Sequence, residues 1–170
     1  RGDQRSGLPD VLLDGVSFAG EARGIILRAS NSTVAGLDIR RFGFGQSGGT
    51  STGIAVDGMT GFGDNNTIEE NYLLLNTGTG NVVGAIDIIG ATDGNQFLNN
   101  RVEASNADGI RFDDAVRTGN VIIGNYVSQS GDDGMRLYGD DLTVSGNTVR
   151  LSQRLTASAC GIELKAVTNS

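Results

Sequence analysis

Residues 95–116 read NQFLNNRVEASNADGIRFDDAV, and residues 120–141 read NVIIGNYVSQSGDDGMRLYGDD. Laid over each other at an offset of 25 they repeat, in one order, an Asn (Asn95, Asn120), a large apolar residue (Phe97, Ile122), a second Asn (Asn100, Asn125), a Val (Val102, Val127) and a Gly-aliphatic pair (Gly109-Ile110, Gly134-Met135). A repeat of about 20 to 50 residues marks a unit that buries its apolar face only by stacking on its neighbours.

The same frame runs outward in both directions. Ile68, Asn71 and Leu73 lie on one side, and Val144, Asn147 and Val149 on the other. Further back it continues through Val34, Leu37 and Ile39 and then through Leu13, Val16 and Phe18, with Leu37 and Val16 in the place of the Asn. A position that takes either Asn or an aliphatic residue is expected to point inward, where stacked amides hydrogen-bond one another and stacked aliphatics pack. A second motif follows each first one: GIILR at 24, GIAVD at 53, AIDII at 85, GIRFD at 109, GMRLY at 134 and GIELK at 161. Each alternates apolar and variable residues, the period of a half-buried strand. In this frame the first motifs are spaced by 21, 34, 29, 25 and 22 residues. Fixed strands joined by variable connections predict a solenoid, all-β, with about six rungs in a single domain over 1–170.

The units N-x-[VIF]-x-x-N-x-[VL] and G-[IM]-x-[FLV] resemble the right-handed parallel β-helix repeat of pectate-lyase-like enzymes and of large secreted bacterial surface proteins. Phrases such as VLLDGVSFAG, NSTVAGLDIRRF and NNTIEENYL are closest to the surface-protein version. The resemblance implies a single-stranded right-handed β-helix and an extracellular or cell-surface location. It also implies a structural or adhesive module that contacts carbohydrate or its own copies. A polysaccharide lyase or epimerase acting on acidic polymers is the alternative, and a phage-tailspike-like domain the third reading. No capping helix is legible at either end, so the chain reads as a fragment of a longer protein or as one that associates end to end into a homo-oligomer.

Acidic residues exceed basic ones by seven, which argues against a phosphate-binding surface and hence against nucleic acid as a partner. No apolar run approaches about 18 residues, so no membrane insertion is expected. The absence of His removes His-based triads and the commonest metal ligand. Cys160, the one cysteine, reads as a small core residue.

Alternation along the second motif places two columns on the outer face. One holds Ile26, Ala55, Asp87, Arg111, Arg136 and Glu163, and the other Arg28, Asp57, Ile89, Asp113, Tyr138 and Lys165. In an enzyme the catalytic set would be Asp87, Arg111, Asp113, Arg136 and Tyr138. A base would abstract the proton α to a uronate carboxylate, with Arg136 or Lys165 in that role, Tyr138 as acid and Arg111 holding the anion. Asp87 with Asp113 is the nearest offer of the two carboxylates a glycosidase needs. In a structural module the same residues would form solvent-facing ion pairs between rungs, Asp87 with Arg111 and Glu163 with Arg136, each contributing at most about 1 kcal/mol. Asp113, Asp114, Asp133 and Asp140 form a candidate calcium set, with Asp108 expected to stack near Asp133; calcium is the one cofactor considered. Long connections at 40–52, 74–84 and 150–160 would emerge at one corner as walls of a groove.

Overall fold

The computed structural model describes residues 11–17, 22–43, 50–59, 61–77, 83–113, 118–152 and 159–165. Among these residues seventeen strands fall into three all-parallel sheets. Sheet A contains β1 (Val11–Asp14), β4 (Leu37–Arg40), β7 (Tyr72–Leu74), β10 (Arg101–Glu103), β13 (Tyr126–Ser128) and β16 (Thr148–Arg150). Sheet B contains β2 (Arg23–Leu27), β5 (Thr52–Asp57), β8 (Gly84–Ile89), β11 (Asp108–Phe112), β14 (Met135–Tyr138) and β17 (Ile162–Lys165). Sheet C contains β3 (Thr33–Ala35), β6 (Thr67–Glu69), β9 (Gln96–Leu98), β12 (Val121–Ile123) and β15 (Thr143–Ser145). Consecutive members of each sheet come from consecutive repeats, so the chain is a parallel β-helix of six rungs. At about 4.8 Å per rung the stack is about 28 Å tall.

Corners at a fixed interval make the coil. From the second rung to the sixth, three residues five positions apart hold φ between 50° and 69°; in the third rung they are Asn65, Glu70 and Leu75. One left-handed residue turns the strand direction, at a cost of about 1–2 kcal/mol where it is not glycine. Gly124 fills such a corner with φ 69°, and a Cβ there would stand 2.3 Å from Asn99 Oδ1. Sheets C and A are thus two sides of equal pentads, N-x-apolar-x-αL, and sheet B is the longer third side.

Asn follows the corner because the bend leaves backbone N–H groups without strand partners. Each Asn reaches back one rung to meet them. Asn100 Oδ1 accepts from Asn71 N at 3.1 Å, Asn125 Oδ1 from Asn100 N at 2.9 Å and Asn147 Oδ1 from Asn125 N at 2.9 Å. A parallel ladder runs through Asn66, Asn95 and Asn120. A third corner, which the repeat did not reveal, carries Phe42, Asn76, Ser105 and Ser130; Asn76 Oδ1 accepts from Phe42 N at 3.1 Å.

Between the ladders the lumen is filled by aliphatic columns. Ile39, Leu73, Val102 and Val127 line sheet A, and Ile54, Ile86, Ile110 and Met135 line sheet B, all fully buried. Phe97 and Phe112 fill the widest section, ring centroids 5.4 Å apart. Where sheet B enters from its corner it passes close to sheet A, which is why Gly recurs there. A Cβ on Gly109 would lie 2.3 Å from Val127 Cγ1 and 2.5 Å from the Gly134 carbonyl oxygen. Gly109→Ala is therefore expected to cost about 2–3 kcal/mol in urea denaturation, because the second obstacle is backbone and cannot rotate away. A loss below about 0.5 kcal/mol would mean the corner has slack.

The first rung departs from the predicted register. Leu13 pairs with Ile39, and Val11 pairs with Leu37 in the Asn column. The expected frame placed Leu13 five residues earlier, with Val34, and put Val16 in the Asn column. Val16 instead lies in the turn after β1, 56% exposed, and Phe18 falls outside the described residues. The first interval is accordingly 26 residues, from Val11 to Leu37. The pentad sides explain the slip: a five-residue shift exchanges one side for the next without disturbing the apolar alternation.

Candidate functional site

The predicted outer columns of sheet B are in register. Ala55, Asp87, Arg111, Arg136 and Glu163 pair in succession, as do Asp57 with Ile89 and Tyr138 with Lys165. In β8, Ile86 and Ile88 point into the lumen, so Asp87 between them points out; Ile110 and Phe112 set Arg111 in the same way. Asp108 and Asp133, which directly precede Gly109 and Gly134 where the chain enters sheet B, add to this face. Arg111 Nε lies 3.7 Å from Asp108 Oδ2, and Arg136 Nε lies 3.3 Å from Asp133 Oδ2.

Outward does not mean solvated here, and the expected surface ladder is corrected at its centre. Asp87 is 2% exposed, Asp108 2%, Asp133 3% and Arg111 9%. Period two reports the side of the strand on which a residue lies and nothing about what covers it. Asp87 Oδ1 makes no hydrogen bond, and burial pushes its carboxyl up to about 7 against the pull of Arg111. Burial likewise pushes Asp108 up to about 7, although its Oδ1 accepts from Asp133 N at 2.9 Å. Asp133 is raised for the same reason. The predicted stacking of Asp108 near Asp133 is thus present, as a buried contact.

Toward the sixth rung the ladder opens. Arg136 Nε donates to Glu163 Oε2 at 2.8 Å; that bond raises the guanidinium and holds Glu163 low. Lys165 Nζ lies 3.0 Å from Glu163 Oε1, donates to Tyr138 Oη at 2.8 Å and stands over the Tyr138 ring. At the other end Arg28 Nε donates to Asp57 Oδ2 at 2.8 Å and holds that carboxyl below its ordinary value. Asp87, Arg111, Asp113, Arg136 and Tyr138 therefore share one face but fall into two groups: a buried acidic centre and a paired, more exposed end.

Three members of the candidate calcium set are described, each with a partner of its own. Asp113 Oδ2 accepts from Gly90 N at 2.9 Å, Asp133 Oδ1 accepts from Cys160 N, and Asp140 forms a backbone bridge with Thr118. Asp114 lies outside the described residues, and among the described residues no three carboxylate or Cys side chains are grouped as a metal site. Cys160 is exposed, contrary to its reading as a core residue, because it stands in the column of Asp108 and Asp133 at the sixth rung, where no further described rung stacks on it. Of the proposed groove walls, 44–49, 78–82 and 153–158 fall outside the described residues.

Sheet A carries a second ordered face that the sequence reading passed over. Arg40, Tyr72, Arg101 and Tyr126 alternate cation and ring up the stack, with guanidinium carbons 5.4, 5.7 and 5.3 Å from the successive ring centroids. Arg40 also forks onto Asp38, and Arg41 onto Asp14. Tyr72 Oη donates to Glu103 Oε2 at 2.7 Å, and burial followed by that bond pushes the phenol up to about 12. The signal was present in the columns Asp38-Tyr72-Arg101-Tyr126 and Arg40-Leu74-Glu103-Ser128. No helix among the described residues is long and apolar enough to cross a membrane. Against family models, curated proteins and solved structures alike, the chain finds no significant match.

Proposed function

We propose that this chain is an extracellular structural or adhesive β-helix segment that offers its side faces to polysaccharide and its end rungs to further rungs, without turning over a substrate. The observation that carries this reading is the closure of the charged face on itself. Asp87 and Arg111 are too deeply covered to meet a polymer, and Arg136, Tyr138, Glu163 and Lys165 are engaged with one another. The cation and ring ladder of sheet A supports saccharide contact, since Arg101 is exposed between two tyrosines even while it donates to Glu103 Oε1 at 3.0 and 2.7 Å. Incubation with alginate, pectate and neutral polymers is expected to release neither unsaturated uronate absorbance nor reducing ends. Product that appears with the native chain and disappears in both Asp87→Asn and Arg136→Ala would sink the structural reading.

One observation favours the lyase or epimerase reading. Asp87 combines a carboxyl near neutral pH, an oxygen with no hydrogen-bond partner and Arg111 on the next strand, which are attributes of a general base beside an anion-stabilising group. In that reading Asp87 takes the proton, in place of Arg136 or Lys165, because Arg136 is held in its charged form by Glu163. The same polymer assay decides between the two.

A further inference from the structure

Nine large hydrophobic residues are exposed among the described residues, and their distribution is uneven. Val11, Leu12, Val16 and Ile26 belong to the first rung, and Leu151, Ile162 and Leu164 to the sixth; Met59 and Phe62 alone lie elsewhere, in a connection. Strand edges with no partner among the described residues lie in the same two rungs, β1 and β2 at one end and β15, β16 and β17 at the other, and at β3 of the second rung, where sheet C begins. Apolar surface and unpaired backbone donors and acceptors therefore coincide at both ends of the stack.

The two ends also match in register. The lumen column that ends at Val149 starts at Leu13, the column that ends at Ile162 starts at Ile25, and the column that ends at Leu164 starts at Leu27. On the outer face of sheet A, Arg150 occupies the column that starts at Asp14, so it would join Arg41 on that carboxylate. Lys165 and Arg28 share a column with like charge, but each already holds a carboxylate, Glu163 at 3.0 Å and Asp57 at 2.8 Å.

Building on the structural reading above, we propose that a second copy of this chain seats its first rung on the sixth rung of this one, β1 against β16 and β2 against β17, continuing both parallel ladders. Thr148, Val149 and Arg150 then face Leu12, Leu13 and Asp14 of the added copy, and Ile162, Glu163 and Leu164 face its Ile25, Ile26 and Leu27. The joined surfaces differ from each other, so no two-fold closes the contact and growth continues as an unbranched filament one β-helix wide.

Sedimentation velocity of the 170-residue chain over a concentration series is expected to show monomer, dimer, trimer and longer species without a terminal size. Leu164→Lys disables the sixth rung, and Ile26→Glu disables the first by setting a carboxylate against Glu163. Each variant alone is expected to be monomeric with unchanged circular dichroism. Their 1:1 mixture is expected to stop at a heterodimer, because Ile26→Glu keeps a working sixth rung and Leu164→Lys a working first. Arg150→Glu, an exposed outer substitution that spares the lumen, is expected to weaken association about tenfold. Monomer at all concentrations, a closed trimer indifferent to both end variants, or a mixture that stays monomeric while the native chain associates each overturns the proposal. Polymer turnover by a chain that still forms filaments would remove the structural reading and leave this contact standing.

Discussion

Replacing Asn100 by Ala is expected to destabilise the solenoid by about 4 kcal/mol, the largest loss for any single polar side chain in the stack. Asn100 Oδ1 accepts from both Asn71 N and Asn71 Nδ2 at 3.1 Å, while its Nδ2 donates to the Ile68 carbonyl at 2.8 Å and to Asn125 Oδ1 at 3.0 Å. The truncation strands Asn71 N–H, which has no strand partner at the corner, and thins the bonding of three other polar atoms in a space closed to water. A stranded buried donor costs about 1–3 kcal/mol, and the cavity left by the amide adds to it. For a chain of this length about 4 kcal/mol corresponds to a fall in Tm of roughly 8–16 °C.

Asn147→Ala supplies the internal control. Asn147 makes three of these contacts, to Asn125 N, Asn125 Nδ2 and the Ile122 carbonyl, but it is only half-buried and water replaces what it loses. Its loss is expected to be near 1 kcal/mol. Equal losses at the two positions in urea denaturation would mean that the ladder contributes bulk and not hydrogen bonds. The direction of reach also explains why Leu37 and Val11 are tolerated in this column. Each Asn serves the rung before it, so the column can end in aliphatic residues at the N-terminal side, where Leu37 N is still capped by Asn71 Oδ1 at 3.1 Å and Val11 is exposed to water.

The interior was legible in the sequence because stacking at strand separation forces each lumen column to repeat one chemistry. Asn71, Asn100, Asn125 and Asn147 could be aligned from that constraint alone, and the aliphatic columns beside them followed. The first rung was not legible, since Leu13, Val16 and the residues around them satisfy the alternation on either pentad side. Outward positions on sheet B were assigned correctly, whereas their burial was not, as Asp87 and Arg111 illustrate. Alternation reports the side of the strand and carries no trace of what lies over it. The ring and guanidinium ladder of Tyr72, Arg101 and Tyr126 was overlooked for a different reason: its members are unlike one another, and a search for repetition passes over a column whose order is alternation.

Stability is expected to fall as pH rises from about 4 to about 8, the reverse of most acidic domains, and Asp87→Asn is expected to remove a large part of that slope. Asp87 and Asp108 keep protons in the folded chain up to about 7, whereas in the unfolded chain they release them near 3.8. Across that window the native state binds more protons than the unfolded one, so each unit of pH costs stability until the folded carboxyls ionise. For Asp87 the full excursion is on the order of 4 kcal/mol. The groups facing it fix the sign: Arg111 and the more distant Arg23 favour the carboxylate, Asp108 and Asp113 oppose it, and burial exceeds all of them. Asp14, Asp57 and Glu163, held low by Arg41, Arg28 and Arg136, work the other way and withdraw their stability only as pH falls below about 4. Asparagine keeps the shape of Asp87 without the charge. At pH 8 the variant should therefore unfold at higher urea than the native chain, while at about pH 4 the two should nearly coincide. A variant less stable than the native chain at pH 8 would show that Arg111 holds an ionised Asp87 at a net gain, and the centre of the charged face would then be a buried ion pair instead of a proton store.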